Sequence, residues 1–247
     1  MAHPRRRLTL LRGTCTVCDR RSIFTARTGP GHSIRNVLRC RRCHASARNR
    51  HVALLARRHL GIRALRDLRD SPGPPHILNA SATSPLAAAL GEAAYNTEFW
   101  SDVTPGASRD GIRCEDLTTL SFADASLDLV ISEDVLEHVP DVDRALEETR
   151  RVLRPGGAHI LTVPYFPNDP TVELFDVVDG EFVLREPIRV HRDQAGNAIP
   201  TYHRFGGDFM RRIEAAGFSV EAVTSTDDDS RAHGIRDCVS FLAVAPG

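Results

Sequence analysis

The cysteines near the N-terminus have a spacing that can bind a metal ion. Two Cys-x-x-Cys pairs are separated by 21 residues, and four thiolates at such a spacing suit one tetrahedral Zn²⁺. The segment around them is too short to bury a hydrophobic core alone, so a metal would supply the missing folding free energy. Two disulfides, or a redox-active Cys-x-x-Cys, are the alternatives. The predicted zinc ligands are Cys15, Cys18, Cys40 and Cys43.

A second set of polar residues lies where short apolar segments end. Asn79 comes near the end of the apolar segment 76–80, and Ser84 and Pro85 are favoured residues at the start of a helix. The N–H groups at the start of that helix can bind an anionic part of a ligand. Glu98 ends the second predicted strand, 94–98, where nucleotide-binding folds place an acid that accepts hydrogen bonds from ribose hydroxyls. This pattern predicts a cofactor site.

Strands and helices alternate in the part of the chain that must position these residues. Such alternation predicts a mostly parallel sheet with helices packed on it. We therefore predict an α/β fold with a Rossmann-like, mostly parallel, seven-stranded sheet and an N-terminal zinc-ribbon module. The predicted strands are 76–80, 94–98, 111–117, 127–132, 158–163, 218–223 and 237–244, and the predicted helices are 85–90, 134–138, 141–153 and 208–216.

Charge and composition divide the chain near residue 70. Residues 1–70 contain 18 Arg and three acids, whereas the remainder contains 14 Arg and 29 acids. An amphipathic helix is predicted from about Ala47 to Leu68, with a break near Gly61, and a Pro- and Gly-rich stretch from residue 71 ends it. The predicted domains are a zinc-ribbon module with a linking helix over 1–70 and a cofactor-binding domain over 71–247.

The basic module suits an anionic partner. It can hold an anionic substrate or a nucleic acid, or dock on the acidic domain of its own chain. Before Tyr95 the only aromatic residue is Phe24, which is fewer than single-stranded nucleic-acid platforms use. No apolar run approaches the roughly 20 residues of a membrane span. We expect a cytoplasmic protein with no membrane partner.

Four motifs follow one another in the centre of the chain. They are D-L-x-x-L-S-F at 116–122, L-D-L-V-I-S at 127–132, V-L-E-H-V at 135–139 and R-V-L-R-P-G-G at 151–157. Together they resemble the class I S-adenosylmethionine (SAM)-dependent methyltransferases of the type 11, ubiquinone/menaquinone-methyltransferase-like group. The resemblance covers about 90 residues and implies that SAM is the cofactor. It implies cofactor contacts at Asn79, Ala80 and Ser81 beside the methionine, Glu98 at the ribose, Asp116 and Leu117 at the adenine, and Ser132 and Glu133 at the floor of the pocket.

The first cofactor loop departs from the family pattern. The family usually has an acid followed by three alternating glycines, whereas residues 79–84 are Asn-Ala-Ser-Ala-Thr-Ser. Glycine lets the backbone approach a ligand closely, and Ala and Ser are the next smallest residues. The loop can therefore still admit SAM, and the alternative is a non-methylating or non-catalytic protein with a SAM-binding fold.

The resemblance also directs attention to groups that could remove a proton from the methyl acceptor. His138, His203 and Tyr165 are the predicted catalytic residues, because a neutral imidazole suits proton removal near pH 7. Some relatives hold a divalent metal with Glu-x-x-Glu-His. The comparable run Asp134-x-x-Glu137-His138 changes the first position, and a hard cation needs several oxygen ligands.

A segment near 165–203 interrupts the family pattern and is predicted to form a lid that selects the substrate. It contains a hairpin-like pair of strands at 181–185 and 188–192, followed by 193–197. We predict SAM-dependent methyl transfer to a small-molecule or sugar-conjugate acceptor. An RNA methyltransferase that reads RNA with its zinc ribbon is the alternative enzyme.

Overall fold

The N-terminal part of the chain forms a small three-stranded antiparallel sheet followed by a long helix. The computed structural model describes residues 7–29, 32–70, 73–192 and 198–247. The helix begins at a capping box in which Ser46 Oγ accepts from Asn49 N–H, and it ends before Gly61, whose φ is +65°. The elements are β1 (Arg7–Thr14), β2 (Arg21–Thr28), α1 (Ile34–Val37), β3 (Arg39–Cys40), α2 (Ala47–His59) and a 3₁₀ turn at Leu65–Leu68.

The central part of the chain supplies the parallel strands of the main sheet. The predicted helix at 134–138 is shorter in the structure: only a 3₁₀ turn forms at Leu136–His138, since Asp134 has a φ of +54° that a helix does not admit. The elements are β4 (Ile77–Asn79), α3 (Pro85–Leu90), a 3₁₀ turn (Gly91–Ala93), β5 (Tyr95–Glu98), β6 (Ser108–Arg109), β7 (Ile112–Cys114), β8 (Leu127–Glu133), α4 (Val142–Val152) and β9 (Leu153–Thr162).

The segment predicted to be a lid consists of short strands outside the main sheet. The predicted pairing of 181–185 with 188–192 is wrong. Asp179 and Gly180 both have positive φ and close a tight hairpin between the two strands before and after them. The later strand pairs across residues 193–197, which lie outside the described residues. The strands are β10 (Tyr165–Phe166), β11 (Val172–Glu173), β12 (Phe175–Val178), β13 (Glu181–Leu184), β14 (Val190–Arg192), β15 (Ala198–Pro200) and β16 (His203–Gly206).

The C-terminal part completes the main sheet with an antiparallel pair. Its elements are α5 (Phe209–Ala215), β17 (Ser219–Thr224), α6 (Asp227–His233) and β18 (Val239–Val244). The strand order is β17-β18-β9-β8-β4-β5-β7-β6, and β4, β5, β7, β8 and β9 run parallel. The predicted α/β fold is confirmed. An eighth, two-residue strand, β6, extends the predicted seven.

Alternate residues of the central strands face two hydrophobic clusters. Ile77 and Ile131 belong to a cluster with α2 and α3, and Leu78 and Val130 belong to a cluster with α4 and α5. Side chains on a strand alternate between the two faces of a sheet, so each strand contributes to both clusters. The linking helix α2 therefore packs directly on the sheet. Among the described residues, no helix is long and apolar enough to cross a membrane.

One buried arginine ties the cysteine-bearing loops to the C-terminal part of the chain. Arg50 is fully buried on α2, and its guanidinium lies 4.2 Å from the centre of the Phe24 ring. A buried charge is tolerated when its hydrogen-bonding groups are satisfied. Here the guanidinium donates to the backbone oxygens of Ala45 (2.5 Å), Gly234 (2.7 Å), His233 (3.0 Å) and Leu38 (3.1 Å).

Candidate functional site

A large cleft lies where the parallel strands of the main sheet end. Its volume is about 1980 Å³. The carboxyl ends of parallel strands are the usual place for ligands in open α/β sheets. Three parts of the chain form its walls: the central sheet, the N-terminal module and the segment 165–202. Its lining includes Ala80, Ser81, Glu98, Asp116, Leu117, Glu133, Asp134, His138, Tyr165 and His191.

The loop after β4 is organised by side chains rather than by glycines. Asn79 is buried, and its Nδ2 donates to Ser81 O at 2.8 Å and to Asn96 Oδ1 at 2.9 Å. Glu98 Oε1 accepts from Ala82 N–H at 3.0 Å. Ala80, Ser81 and Glu98 line the cleft, whereas Asn79 holds the loop from behind. The glycine-free loop therefore has a defined shape that leaves its backbone at the cleft wall.

The turn after β7 brings Asp116 and Leu117 to the same cleft. Asp116 Oδ1 accepts from Thr118 N–H and from Thr118 Oγ1, both at 2.8 Å. Two such bonds fix the carboxylate beside the cleft wall that Leu117 also lines. The structure thus brings together Glu98 and the adjacent pair Asp116 and Leu117, which come from two separate segments of the sequence.

The end of β8 contacts the N-terminal module. Ser132 is buried, and its Oγ lies 2.8 Å from His159 Nε2. The described residues that line the cleft do not include Ser132. Glu133 does line the cleft, and both of its carboxylate oxygens accept from Asn49 Nδ2, at 2.9 and 3.0 Å. Burial raises the pKa of Glu133 even though Arg48 and Asn49 oppose this. The N-terminal module therefore fixes the floor of the cleft.

Asp134 forms ion pairs that join the end of β8 to the N-terminal module. The sequence did not predict this contact. Its carboxylate accepts two bonds from Arg35 at 2.8 Å and a very short one from Arg48. Burial alone would raise the pKa of Asp134, but the charges of Arg48 and Arg35 outweigh it and lower the pKa. The excess of arginine in residues 1–70 and of acids in the remainder was the only indication of such a contact in the sequence. Arg35, Arg48 and Asp134 account for part of this charge difference through ion pairs within the chain.

Two of the three predicted catalytic residues lie at the cleft. Tyr165 lines it and packs edge-to-face on Phe241, with ring centres 5.0 Å apart. His138 also lines it, and burial lowers its pKa. His203 is buried, and its Nε2 lies 3.0 Å from the backbone oxygens of Val139 and Pro140. The described lining of the cleft does not include His203, and its geometry is that of a brace.

A carboxylate and two imidazoles meet beside the cleft. Glu137 Oε1 lies 3.6 Å from His191 Nδ1 and 3.9 Å from His138 Nε2, and these two nitrogens are 3.2 Å apart. Glu137 is fully buried, and burial together with the negative charge of Asp134 raises its pKa to about 8. His191 comes from β14, 53 residues beyond His138. No local motif connects them, and sequence reasoning missed His191.

The four N-terminal cysteines form a second cluster. Cys15 and Cys18 lie in the turn between β1 and β2, and Cys40 and Cys43 lie at the end of β3 and in the turn after it. Their sulfur atoms are all within 4.8 Å of one another, and Cys15 Sγ is 3.7 Å from Cys43 Sγ. Tetrahedral Zn–S bonds of about 2.3 Å require sulfurs roughly 3.8 Å apart. All six cysteines fall in the described ranges and are free thiols, so the disulfide alternative finds no support.

The central part of the chain, which contributes Glu98 and Asp116 to the cleft, is similar to known proteins. Residues 79–161 match the family model described as a methyltransferase domain. This part of the chain is therefore similar to methyltransferase domains. One relative is a demethylmenaquinone methyltransferase of Mycobacterium sp. (strain KMS), 37% identical over 113 residues that cover 42% of this chain and 47% of that protein.

Two further matches are a curated relative and a solved structure. A malonyl-[acyl-carrier protein] O-methyltransferase of Methylococcus capsulatus is 36% identical over 103 residues, which cover 40% of this chain and 38% of that protein. A solved sugar N-methyltransferase from Streptoalloteichus sp ATCC 53650 is 18% identical, with 81% of this chain and 87% of that chain aligned and a TM-score of 0.47. The aligned part of the chain spans less than half the length of the curated relatives that it matches.

Proposed function

We propose that the protein transfers a methyl group from SAM to a small-molecule or sugar-conjugate acceptor. The observation that carries this proposal is the meeting of Glu98, Asp116 and the loop after β4 in one cleft, within the segment that matches the methyltransferase domain. Carboxylates on neighbouring strand ends suit the hydroxyls of a ribose and the amino group of an adenine. The loop backbone at Ala80 and Ser81 lies beside them, where the methionine part of SAM would bind.

The acceptor half of the cleft is the part walled by the segment 165–202. Its side chains are largely aromatic or apolar: Tyr165, Phe166, Phe182, Ile199 and Tyr202 line it. Small-molecule sites are mostly apolar with a few polar groups that orient the ligand, so this wall suits an organic acceptor. Of the 18 arginines in residues 1–70, Arg35, Arg48 and Arg50 are engaged within the chain, which reduces the basic surface left for the RNA alternative.

We further propose that Cys15, Cys18, Cys40 and Cys43 bind one Zn²⁺ with a structural role. Four thiolates leave no open coordination position, which is typical of structural rather than catalytic zinc. The metal would fix the loops that precede α2. Those loops and α2 carry Arg35, Arg48 and Asn49 to the floor of the cleft. Zinc would thus act on the cofactor site by holding one of its walls.

The cofactor part of this proposal is tested by calorimetry with SAM and S-adenosylhomocysteine on the zinc-loaded protein. Hydrogen bonds to charged groups contribute about 1.5–3 kcal/mol, so Glu98→Ala and Asp116→Ala should each weaken SAM binding by roughly tenfold or more. Glu92→Ala is the matched control, since Glu92 is exposed and lies outside the described cleft lining. Absence of SAM binding to the parent protein at millimolar concentration would contradict the proposal.

The acceptor part requires turnover. Formation of S-adenosylhomocysteine should be measured with panels of hydroxyl- and amine-bearing small molecules and sugar conjugates, with an RNA panel beside them. We expect S-adenosylhomocysteine to form with the small molecules or sugar conjugates and not with the RNA panel. Turnover confined to RNA would replace the small-molecule acceptor by a nucleic acid.

A further inference from the structure

Glu137 has an unusual environment for a carboxylate. Its side chain is fully buried, and among the described residues neither carboxylate oxygen has a hydrogen-bond partner. An unpaired buried carboxylate costs several kcal/mol, so something must compensate it. A proton would remove the charge, but the new O–H would still need an acceptor. The nearest ring nitrogens, on His191 and His138, are 3.6 and 3.9 Å from Oε1, too far for a good hydrogen bond.

The tautomer of His138 directs a lone pair toward the same point. His138 Nδ1 lies 2.6 Å from the backbone oxygen of Pro200. A carbonyl oxygen only accepts, so Nδ1 must carry the hydrogen, and the neutral ring presents the lone pair of Nε2. Metal-binding histidines commonly donate their other N–H to a backbone carbonyl, which fixes the ring and the tautomer. His138 is therefore already oriented as a ligand.

The distances among the three donor atoms fit a small divalent ion. Glu137 Oε1, His138 Nε2 and His191 Nδ1 form a triangle with sides of 3.2, 3.6 and 3.9 Å. The circle through these atoms has a radius of about 2.1 Å, close to Zn–N and Zn–O distances of about 2.0–2.2 Å. One carboxylate with two imidazoles is a donor set for first-row divalent metals that keep positions open for other ligands.

We propose that Glu137, His138 and His191 bind one divalent cation of the first transition series, and that its open positions bind an oxygen of the acceptor. His138 and His191 line the cleft together with Tyr165, so an ion between them faces the acceptor half. The second part rests on the proposed methyl transfer. The site shares Glu137 and His138 with the run that begins at Asp134. It has His191 in place of Asp134, whose carboxylate is held by Arg35 and Arg48.

The chemistry of such a site can be written with a hydroxyl acceptor. A bound cation lowers the pKa of a coordinated hydroxyl, which then releases its proton to water. The oxygen attacks the methyl carbon of SAM, and the O–CH₃ bond forms as the S–CH₃ bond breaks. The electron pair of the broken bond returns to sulfur, and S-adenosylhomocysteine leaves. In this scheme His138 is a metal ligand rather than the general base.

The test is a Co²⁺ titration of the full-length, zinc-loaded protein after a brief chelator wash, followed by absorption spectroscopy and metal analysis. We expect one equivalent of Co²⁺ beyond the zinc. His191→Ala should weaken its binding at least tenfold without unfolding the protein, because His191 is half exposed. Glu137→Gln should do the same. His32→Ala, which changes an exposed histidine outside the cluster, should bind Co²⁺ as the parent does.

Acetohydroxamate, a bidentate oxygen ligand, tests the open positions. Its addition should change the Co²⁺ spectrum of the parent protein. An unchanged spectrum would show a closed site and overturn the acceptor-binding part. No second equivalent of metal, or equal binding by His191→Ala, would overturn the site itself. SAM calorimetry on the same samples separates the proposals. SAM binding without a second metal refutes only this inference. A second metal without SAM binding refutes the proposed function and the acceptor-binding part that rests on it, and leaves the metal site itself standing.

Discussion

The two polar clusters of the molecule, the four cysteines and the Glu137–His138–His191 group, are built in opposite ways. The cysteines come from two tight turns within 29 residues of the chain and belong to the N-terminal module. The second cluster joins a 3₁₀ turn of the central domain to a strand of the segment 165–202. The first offers four identical ligands, and the second offers three mixed ligands beside a cleft. A closed set of ligands suits a structural ion, and an incomplete set suits ligand exchange.

The largest expected effect on stability comes from disrupting the cysteine cluster. Cys40→Ser should abolish zinc binding and unfold at least the N-terminal module, since structural zinc contributes on the order of 10 kcal/mol to folding. Metal analysis and thermal unfolding followed by circular dichroism would measure the change. Cys114→Ser is the control, because Cys114 is equally buried but lies in β7, apart from the cluster. Zinc content and melting temperature that stay at parental values in Cys40→Ser would contradict the structural role.

A smaller effect is expected at the link between the cysteine loops and the remainder of the molecule. Arg50→Met should lower the free energy of unfolding by about 3–5 kcal/mol, because four buried backbone oxygens lose a charged donor. Urea denaturation would measure it. Arg58→Met serves as the control, since the Arg58 side chain is 59% exposed and its ion pair with Asp229 spans 3.5 Å. Equal losses in the two variants would show that Arg50 is not a special link.

The same contrast explains which features the sequence could predict. The cysteine spacing and the acids at the ends of β5 and β7 are local patterns, and they predicted residues that the structure places in a cluster or at the cleft. The alternation of strands and helices is also local, and it predicted the sheet. His191 could not be predicted in this way, because its partner lies 53 residues earlier and the two meet only after the segment 165–202 folds back.

The ion pairs of Asp134 escaped prediction for a related reason. The excess of arginine in residues 1–70 indicated an acidic partner, but composition does not say which acid or whether it belongs to the same chain. Only the packing of α2 on the sheet brings Arg48 to Asp134. The predicted pairing of 181–185 with 188–192 is wrong for a different reason. Asp179-Gly180 is a strong local hairpin signal, and it places the turn before residue 181.

The smallest expected effect concerns a histidine that belongs to neither cluster, and it sharpens the contrast with His138, which belongs to the second. His159 lies on β9 and is fully buried, with Nε2 2.8 Å from Ser132 Oγ. Burial lowers its pKa from the ordinary histidine value of 6.5 to about 3. Below pH 6.5 the unfolded chain binds a proton at this position that the folded chain does not. Stability is therefore lost as the pH falls from 6.5 toward 3, by at most about 1.4 kcal/mol per pH unit.

His159→Gln should remove this dependence while keeping a polar partner for Ser132. Urea unfolding of both proteins between pH 7 and about 5 would give two slopes of unfolding free energy against pH, and we expect the variant's slope to be shallower by about 1 kcal/mol per pH unit. Protonation of the cysteine ligands affects both proteins equally and cancels in the difference. Parallel slopes would mean that His159 is already charged in the folded state, or that it is open to solvent. Either outcome would contradict the lowered pKa of His159.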